Sequence, residues 1–242
     1  MFSQETIDRK YKSIAKEQGV NIDIVYQAAL PKAQEIEETR EGFTIKLNSD
    51  RISKSDYEEY LSYNVRKIIL PQLRLETERL VLRPFALNDA QAYLAFFSDE
   101  TDAYMDSGNI FTSMDKEYEQ LMDDFLTQTR YTIIRRETED VVGTINLMDV
   151  NDRAVETMEI GYSMSPAHKR CGYAYEALSA LLHYLLHDLH LDMVIAGAFP
   201  DNTPSLELIK KLGFQYEGLR HKAYWNNLRG PMDLQYYYLE KA

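Results

Sequence analysis

Apolar positions in this chain change their period near residue 72, and with it the kind of element they predict. Before that point the spacing is helical. Ile7, Tyr11, Ile14 and Ala15 share one helical face within residues 3–18, and Gly19 stands where such a helix would end. A second helical stretch is expected from about Asp23, disturbed by Pro31. Phe43, Ile45 and Leu47 alternate with polar residues and predict one short strand. Ser55 and Glu58 pair as a capping box at the head of a further helix. Its Tyr57, Tyr60, Leu61 and Ile68 line one face, and Pro71 stops it. Residues 1–72 thus read as a mainly helical N-terminal extension, small for a core of its own.

From Leu73 the pattern becomes strands alternating with helices. Leu75, Leu80, Leu82 and Phe85 belong to one extended run, RLETERLVLRPF. Asn88 with Gln91 predicts a capped helix carrying Ala92, Leu94, Ala95 and Phe96, and a helix over 115–128 follows the caps Thr112 and Ser113. Strands are predicted over 131–136, 141–149 and 153–164, joined by short polar loops that suit antiparallel hairpins. Beyond Pro166 come a turn with Gly172, a long helix over 173–188 and an apolar strand over 191–199. A helix opened by Pro204 and closed at Leu212–Gly213 precedes two final strands. A β-meander feeding a β-α-β unit predicts an α/β (α+β) domain over 73–242, with a mostly antiparallel mixed sheet.

Composition narrows the class. The 242 residues are 45% hydrophobic and 27% charged, which is ordinary for a globular protein. The single cysteine, Cys171, excludes a disulfide framework and suits a reducing compartment. The start of the chain has no apolar signal region, and no run is long enough to span a membrane, so a soluble cytoplasmic protein is expected. A net charge of −12 and the lack of any Lys/Arg-rich stretch argue against a nucleic-acid partner and mildly favour cationic ones.

Two segments carry the chemistry. In SPAHKRCGYAYEAL, residues 165–178, a strand leads through Gly172 directly into a helix. Unpaired N–H groups at such a helix start form an anion site, and Gly172 lets a diphosphate come close. His168, Lys169 and Arg170 add positive charge. A plain strand–helix connection with a basic cluster is the alternative reading of this stretch. In PDNTPSLELIKKLGF, residues 200–214, Asn202 and Thr203 suit a helix cap, Pro204 the first helical position and Gly213 the position after the last turn.

Together, in this order and at this separation, the segments resemble the GNAT superfamily of acyl-CoA N-acyltransferases. The family's pyrophosphate loop, Gln/Arg-x-x-Gly-x-Gly/Ala, is matched by Lys169-Arg170-Cys171-Gly172-Tyr173-Ala174, and Tyr175-Glu176-Ala177-Leu178 continues it. The family's Asn-x-x-Ser…Lys-Leu-Gly-Phe element is matched by Asn202, Ser205, Lys211, Leu212, Gly213 and Phe214. LETERLVLRPF and MEIGYSMSP resemble the branch containing the ribosomal-protein N-terminal acetyltransferases. The resemblance covers about residues 73–240 and leaves 1–72 unassigned. Three positions depart from the pattern. Lys169 stands where Gln or Arg is usual, Arg170 where glycine is common, and Ile209 where many members place a tyrosine that protonates the leaving thiolate.

The resemblance implies acetyl-CoA as co-substrate, no metal, and direct acetyl transfer to a primary amine, either a protein N-terminus or a small cationic amine. The strand ending at Met164 and the strand over 191–199 should run parallel and splay, so that the pantetheine arm pairs with the freed backbone. Lys169, Arg170, Cys171, Gly172, Tyr173 and Ala174 are then expected to hold the diphosphate, and backbone N–H near Met164 to polarise the thioester carbonyl. Glu159 is the candidate base, acting through water, with a substrate-binding carboxylate as its alternative. Ser205 is the candidate relay at the leaving thiolate, and Asn202 binds cofactor or water. Cys171 is expected to be a bystander in the chemistry. His183, His187 and His190 share a solvated helix face opposite the leucine stripe and are not expected to bind metal. The acceptor cleft should be walled by the helices over 88–98 and 115–128 and by His221, Tyr224 and Trp225. Asp99, Glu100, Asp102 and Asp106 either attract a cationic amine or are surface charge. A catalytically inactive CoA-binding sensor or interaction module is the second reading, and Ile209 motivates it. A nucleotide-binding oxidoreductase is distant, since Gly172 lacks an accompanying GxGxxG. For residues 1–72 a lid, a docking module or a homodimer contact is expected.

Overall fold

The computed structural model describes residues 73–97, 103–106, 130–150 and 152–241, with Lys12, Lys16, Leu70 and the backbone of three strands before residue 54. The chain divides into two compact units, Met1–Gln72 and Leu73–Ala242. The helices expected from Asp23 and from Ser55–Glu58, the caps Thr112 and Ser113 with the helix over 115–128, and Asp99, Glu100 and Asp102 lie outside the described residues.

In the first unit, β1 (Ala33–Thr39), β2 (Gly42–Leu47) and β3 (Asp50–Ser53) form an antiparallel meander, with Ile36 opposite Ile45 and Ile45 opposite Ile52. The alternation of Phe43, Ile45 and Leu47 predicts β2 alone. β1 contains three glutamates in AQEIEET, a composition that favours helix by propensity, and pairing with β2 overrides it. Lys12 and Lys16, in the first expected helix, are helical.

The second unit is built on one sheet. Its strands are β4 (Leu75–Glu76), β5 (Leu80–Pro84), β6 (Arg130–Arg135), β7 (Val141–Val150), β8 (Thr157–Met164), β9 (Met193–Ala198), β10 (Gln215–Asn226) and β11 (Gly230–Glu240). Their order is β10-β11-β9-β8-β7-β6-β5-β4. Among the described strands β8 and β9 alone pair in parallel, and a helix starting at Tyr173 makes the crossover between them. The run RLETERLVLRPF is a hairpin, not one strand. Its turn is tied by Thr77, whose N–H donates to the Leu80 carbonyl and whose Oγ1 accepts from the Leu80 N–H, each at 2.9 Å.

The crossover helix α2 (Tyr173–His183) follows the short α1 (Ala90–Leu94). Leu178, Leu181 and Leu185 lose all solvent contact, each worth about 1.5–3 kcal/mol in transfer from water. After His183 the helix widens into a π turn, Tyr184–Asp188, closed by the Leu189 N–H on the Tyr184 carbonyl. The extra residue in that turn keeps Leu185, Leu186 and Leu189 all buried. His183, His187 and His190 are exposed, and the first two rings lie 4.8 Å apart, tilted by 44°. No helix among the described residues is long and apolar enough to cross a membrane.

α1 starts differently from the Asn88–Gln91 pattern. Asp89 occupies the cap position without capping. Its buried carboxylate instead accepts from both terminal nitrogens of Arg83, at 2.7 and 2.8 Å, from the Ala86 N–H and from Thr132 Oγ1. Burial alone would lift its pKa, but these donors outweigh burial and hold the carboxyl below the usual aspartate range. This stabilisation is present above the unfolded-state pKa and lost as pH falls through the lower folded one. Asp89→Ala is therefore expected to cost about 2–4 kcal/mol in urea unfolding at neutral pH and to flatten stability on the acid side. A variant within about 0.5 kcal/mol of wild type would contradict this.

Candidate active site

The site begins where a ladder stops. Pairing of β8 with β9 runs from Thr157 opposite Met193 to Ile160 opposite Ala196 and goes no further. Both strands continue on their outer partners, β8 to Met164 opposite Gly143 of β7, and β9 to Ala198 opposite Gln235 of β11. The two ends therefore separate without either losing its hold on the sheet. Gly143 permits the close packing of the β8 end on β7, since a Cβ there would meet Met164 Sδ at 2.6 Å and the Ser163 carbonyl at 2.8 Å. Inner-edge backbone groups beyond Ile160 are left for another partner. A cleft of about 800 Å³ opens beside them.

One end of the cleft is a cradle for an anion. Arg170 and Gly172 both take left-handed backbone, at φ 61° and 79°, and turn the loop sharply into α2. No side chain caps the start of α2, so its first N–H groups face the cleft at the positive end of the helix dipole. His168, Lys169, Arg170, Gly172, Tyr173 and Ala174 line it, and Lys211 lies 4.4 Å over the Tyr175 ring at the same end. These residues suit a diphosphate. Cys171 is outside the lining; its thiol is exposed and its carbonyl accepts from Arg79 Nη1 at 3.2 Å.

The turn between β4 and β5 locks this loop in place. Glu176, in the first turn of α2, accepts from Thr77 Oγ1 at 2.5 Å, from the Arg79 N–H at 2.9 Å and from Arg79 Nε at 2.7 Å. Burial pushes the Glu176 carboxyl up, but the Thr77 and Arg79 donors win and hold it below the usual glutamate range. The Arg79 guanidinium also stacks 4.7 Å over the Tyr173 ring. Sequence reading places Thr77 and Arg79 in a strand and gives them no role. Their partner lies 97 to 99 residues away, a distance no local pattern spans.

The opposite wall is the start of α3 (Thr203–Lys211). Asn202 caps it, accepting from the Ser205 N–H at 3.3 Å. The Ser205 and Tyr162 hydroxyls are 2.9 Å apart, and both residues line the cleft. Burial pushes the Tyr162 phenol up to about 12. Ile209 is buried, only 1% exposed, and packs in the core rather than facing the cleft. Tyr162 is the site residue that sequence reading misses. Its signal is the alternation of β8, which puts it on the same face as the buried Met158 and Ile160.

That alternation also divides the predicted residues. Tyr162 faces α3, whereas Glu159 and Ser163 lie on the other face of β8, so Glu159 and Ser205 are not brought together. Glu159 Oε1 lies 3.5 Å from where a Cβ of Gly197 would sit, and Tyr236 hydrogen-bonds it. Burial raises its pKa above the usual glutamate value, against the pull of Tyr236 and Arg220. Ser163 Oγ donates to Asp106 at 2.6 Å, which sets that carboxylate in the cleft lining. Asn226, fully buried, donates to the Tyr104 and Asp106 carbonyls and so holds this segment. Tyr224 packs edge-on to Phe199 at 5.7 Å. His221 is exposed and pairs with Asp233, and Trp225 is 66% exposed. Of the three C-terminal residues expected in the wall, Tyr224 alone packs toward Phe199 and Asp106.

Comparison with known proteins agrees with this geometry. The acetyltransferase (GNAT) domain matches residues 79–215. An uncharacterized N-acetyltransferase, p20 of Bacillus licheniformis, is 39% identical over 156 residues, covering 60% of this chain and 84% of that protein. The ribosomal protein uS5-alanine N-acetyltransferase of Escherichia coli (strain K12) is 24% identical over 162 residues, 62% of this chain and 81% of its own. The crystal structure of a GNAT-family acetyltransferase from Bacillus anthracis superimposes with a TM-score of 0.62 at 27% identity, covering 70% of this chain and 99% of that one. The strand order, the parted β8 and β9 and the domain match over more than half the length lead to one assignment: the chain belongs to the GNAT acetyltransferases and is an acetyl-CoA-dependent N-acetyltransferase.

Proposed function

We propose that the protein acetylates a primary amine, a protein N-terminus or a small cationic amine, by direct attack on acetyl-CoA. The observation that carries this reading is the gap beyond Ile160 and the cleft beside it, lined by the anion cradle, the Tyr162–Ser205 hydroxyl pair and Asp106. On this reading Lys169, Arg170, Gly172, Tyr173 and Ala174 hold the diphosphate, with Cys171 contributing only backbone. Asn202 fixes the start of α3 beside the cofactor. The Met164 end of β8 supplies the N–H that polarises the thioester carbonyl. The amine approaches from the face of Glu159 and Asp106, walled by Tyr236, Phe199 and Tyr224. Carboxylates beside aromatic faces favour a cation, as does the net charge of −12. The uS5-alanine relative supports a protein N-terminus as one such amine.

An ammonium cannot attack, so a proton must leave it first. Glu159 takes that proton through water, and its raised pKa brings it closer to an amine's. Ser205 serves the leaving sulfur. Residues 1–72 act as a lid, a docking module or a dimer contact, and the single exposed cysteine fits a reducing cytoplasm. Ile209 is buried and offers no donor, which leaves the leaving sulfur to Ser205 on this reading.

Three measurements test this. Saturating acetyl-CoA at about 100 times Kd should add about 2.7 kcal/mol of stability, a Tm rise of roughly 5–10 °C. Arg79→Ala and Glu176→Gln should weaken acetyl-CoA binding about tenfold and shrink that rise while kcat changes little, because they hold the cradle and touch no reacting atom. Equal rises in wild type and both variants would remove the clamp from cofactor binding. Glu159→Gln should lower kcat/KM about 10²-fold. It should also erase an acid limb lying above the usual glutamate range, since the base works only when deprotonated. A full thermal shift with no turnover across a panel of protein N-termini and small cationic amines would remove both amine classes as acceptors.

A further inference from the structure

We infer that Tyr162 is a positioning residue for the leaving group: its hydroxyl donates to Ser205 Oγ and thereby turns the Ser205 proton toward the departing sulfur. The inference rests on the acyl-transfer reading above. Its geometry is the 2.9 Å contact between the two hydroxyls, made across the cleft from the freed end of β8 to the first turn of α3. Tyr162 stands two positions past the last pair of the β8–β9 ladder, beside the backbone left open there. Ser205 follows the cap residue Asn202 by one helical turn. Ile209 lies in the core and offers no donor.

The direction of the hydrogen bond follows from acidity. A phenol is a far stronger acid than an alcohol, so in a phenol–alcohol pair the phenol donates and the alcohol oxygen accepts. A serine in a helix otherwise turns its proton back to the carbonyl of the preceding turn. With Tyr162 donating into its oxygen, Ser205 has a single proton left, polarised by the donation and free to point into the cleft. The phenol's raised pKa, about 12, keeps it protonated throughout the working range. When the carbon–sulfur bond breaks, its electron pair goes to sulfur. Ser205 donates a hydrogen bond to that thiolate without surrendering its proton. A free thiol ionises near pH 8.5, so departure with this support is feasible. The thiolate is neutralised later by the proton the amine has lost, carried through water.

The test compares Tyr162→Phe, Ser205→Ala, Ser205→Thr and the Tyr162→Phe/Ser205→Ala double variant on acetyl-CoA and on its seleno analogue, whose leaving group is a weaker base. Tyr162→Phe should lower kcat about tenfold and leave KM for acetyl-CoA within about twofold. Ser205→Ala should lose at least as much, Ser205→Thr should recover most of it, and the double variant should match Ser205→Ala. Every defect should narrow on the seleno analogue, which a packing role would not produce. An unchanged kcat in Tyr162→Phe, or losses that multiply in the double variant, would overturn the inference while wild-type turnover upholds the acyl-transfer reading. Wild type that binds acetyl-CoA but acetylates no amine would overturn both. If thermal melts show Tyr162→Phe unfolded, Ser205→Ala carries the test: a defect equal on both thioesters rejects the donor chain.

Discussion

The structure depends on a rule about backbone polar groups. Two parallel strands can part inside a sheet only if each keeps its bonds on the other side. Here β7 holds the end of β8 and β11 holds the end of β9, so the sheet stays continuous around a gap in its middle. The strand order follows from that need. β11 returns to lie between β9 and β10, and without it β9 would have no outer partner at the level where β8 leaves it. Glycine at 143 has a local role beside it, leaving room for Met164 Sδ and the Ser163 carbonyl against β7.

Electrostatics imposes a second constraint. A protein of net charge −12 must still present a locally positive surface to a diphosphate. The unpaired N–H groups of α2 provide it without altering net charge, and His168, Lys169, Arg170 and Lys211 reinforce it. Glu176 would work against that surface if it were free to turn toward the ligand. Arg79 and Thr77 hold it on the far side of the helix start, where its charge is matched by the guanidinium. The same carboxylate then fastens the cradle to the β4–β5 turn, so its cost and its use are one interaction.

Much of this is legible in the sequence, and the parts that are not share a cause. Local signals set the order of elements: Gly172 before a helical stripe, Asn202 before Pro204, and alternation along β7 and β8. They also support the parallel pair and its parting, through the resemblance that the two motifs carry. What escapes depends on partners distant in the chain. Asp89 goes unnoticed beside Asn88 because its donors come from Arg83 and Thr132 rather than from its own helix. Thr77 and Arg79 look like strand residues because Glu176 is remote. β1 and β3 are hidden because glutamate-rich and short polar segments become strands only when a neighbour pairs with them. Tyr162 is within reach of the alternation, but nothing local marks its partner as Ser205.

The face assignment of β8 finally bears on how acyl transfer could be organised here. Successive side chains on a strand point to opposite faces, so the freed segment sorts two substrates by residue parity. Tyr162 and Ser205 meet on the α3 face, while Glu159 and Ser163 point to the other, Glu159 toward Gly197 and Tyr236. On the proposed reading the proton leaving the amine and the charge arriving on sulfur therefore appear on different sides of one strand. They communicate only through the carbonyl carbon held in the gap and through solvent. A base on one face and a hydroxyl donor on the other cannot then form a single relay, and each needs its own tuning. Glu159 is tuned by burial against Tyr236 and Arg220, and Ser205 by its contact with Tyr162. Separate tuning lets the acceptor face vary with the amine while the cofactor face stays fixed, a division that the parting of two strands makes available at no cost to the rest of the sheet.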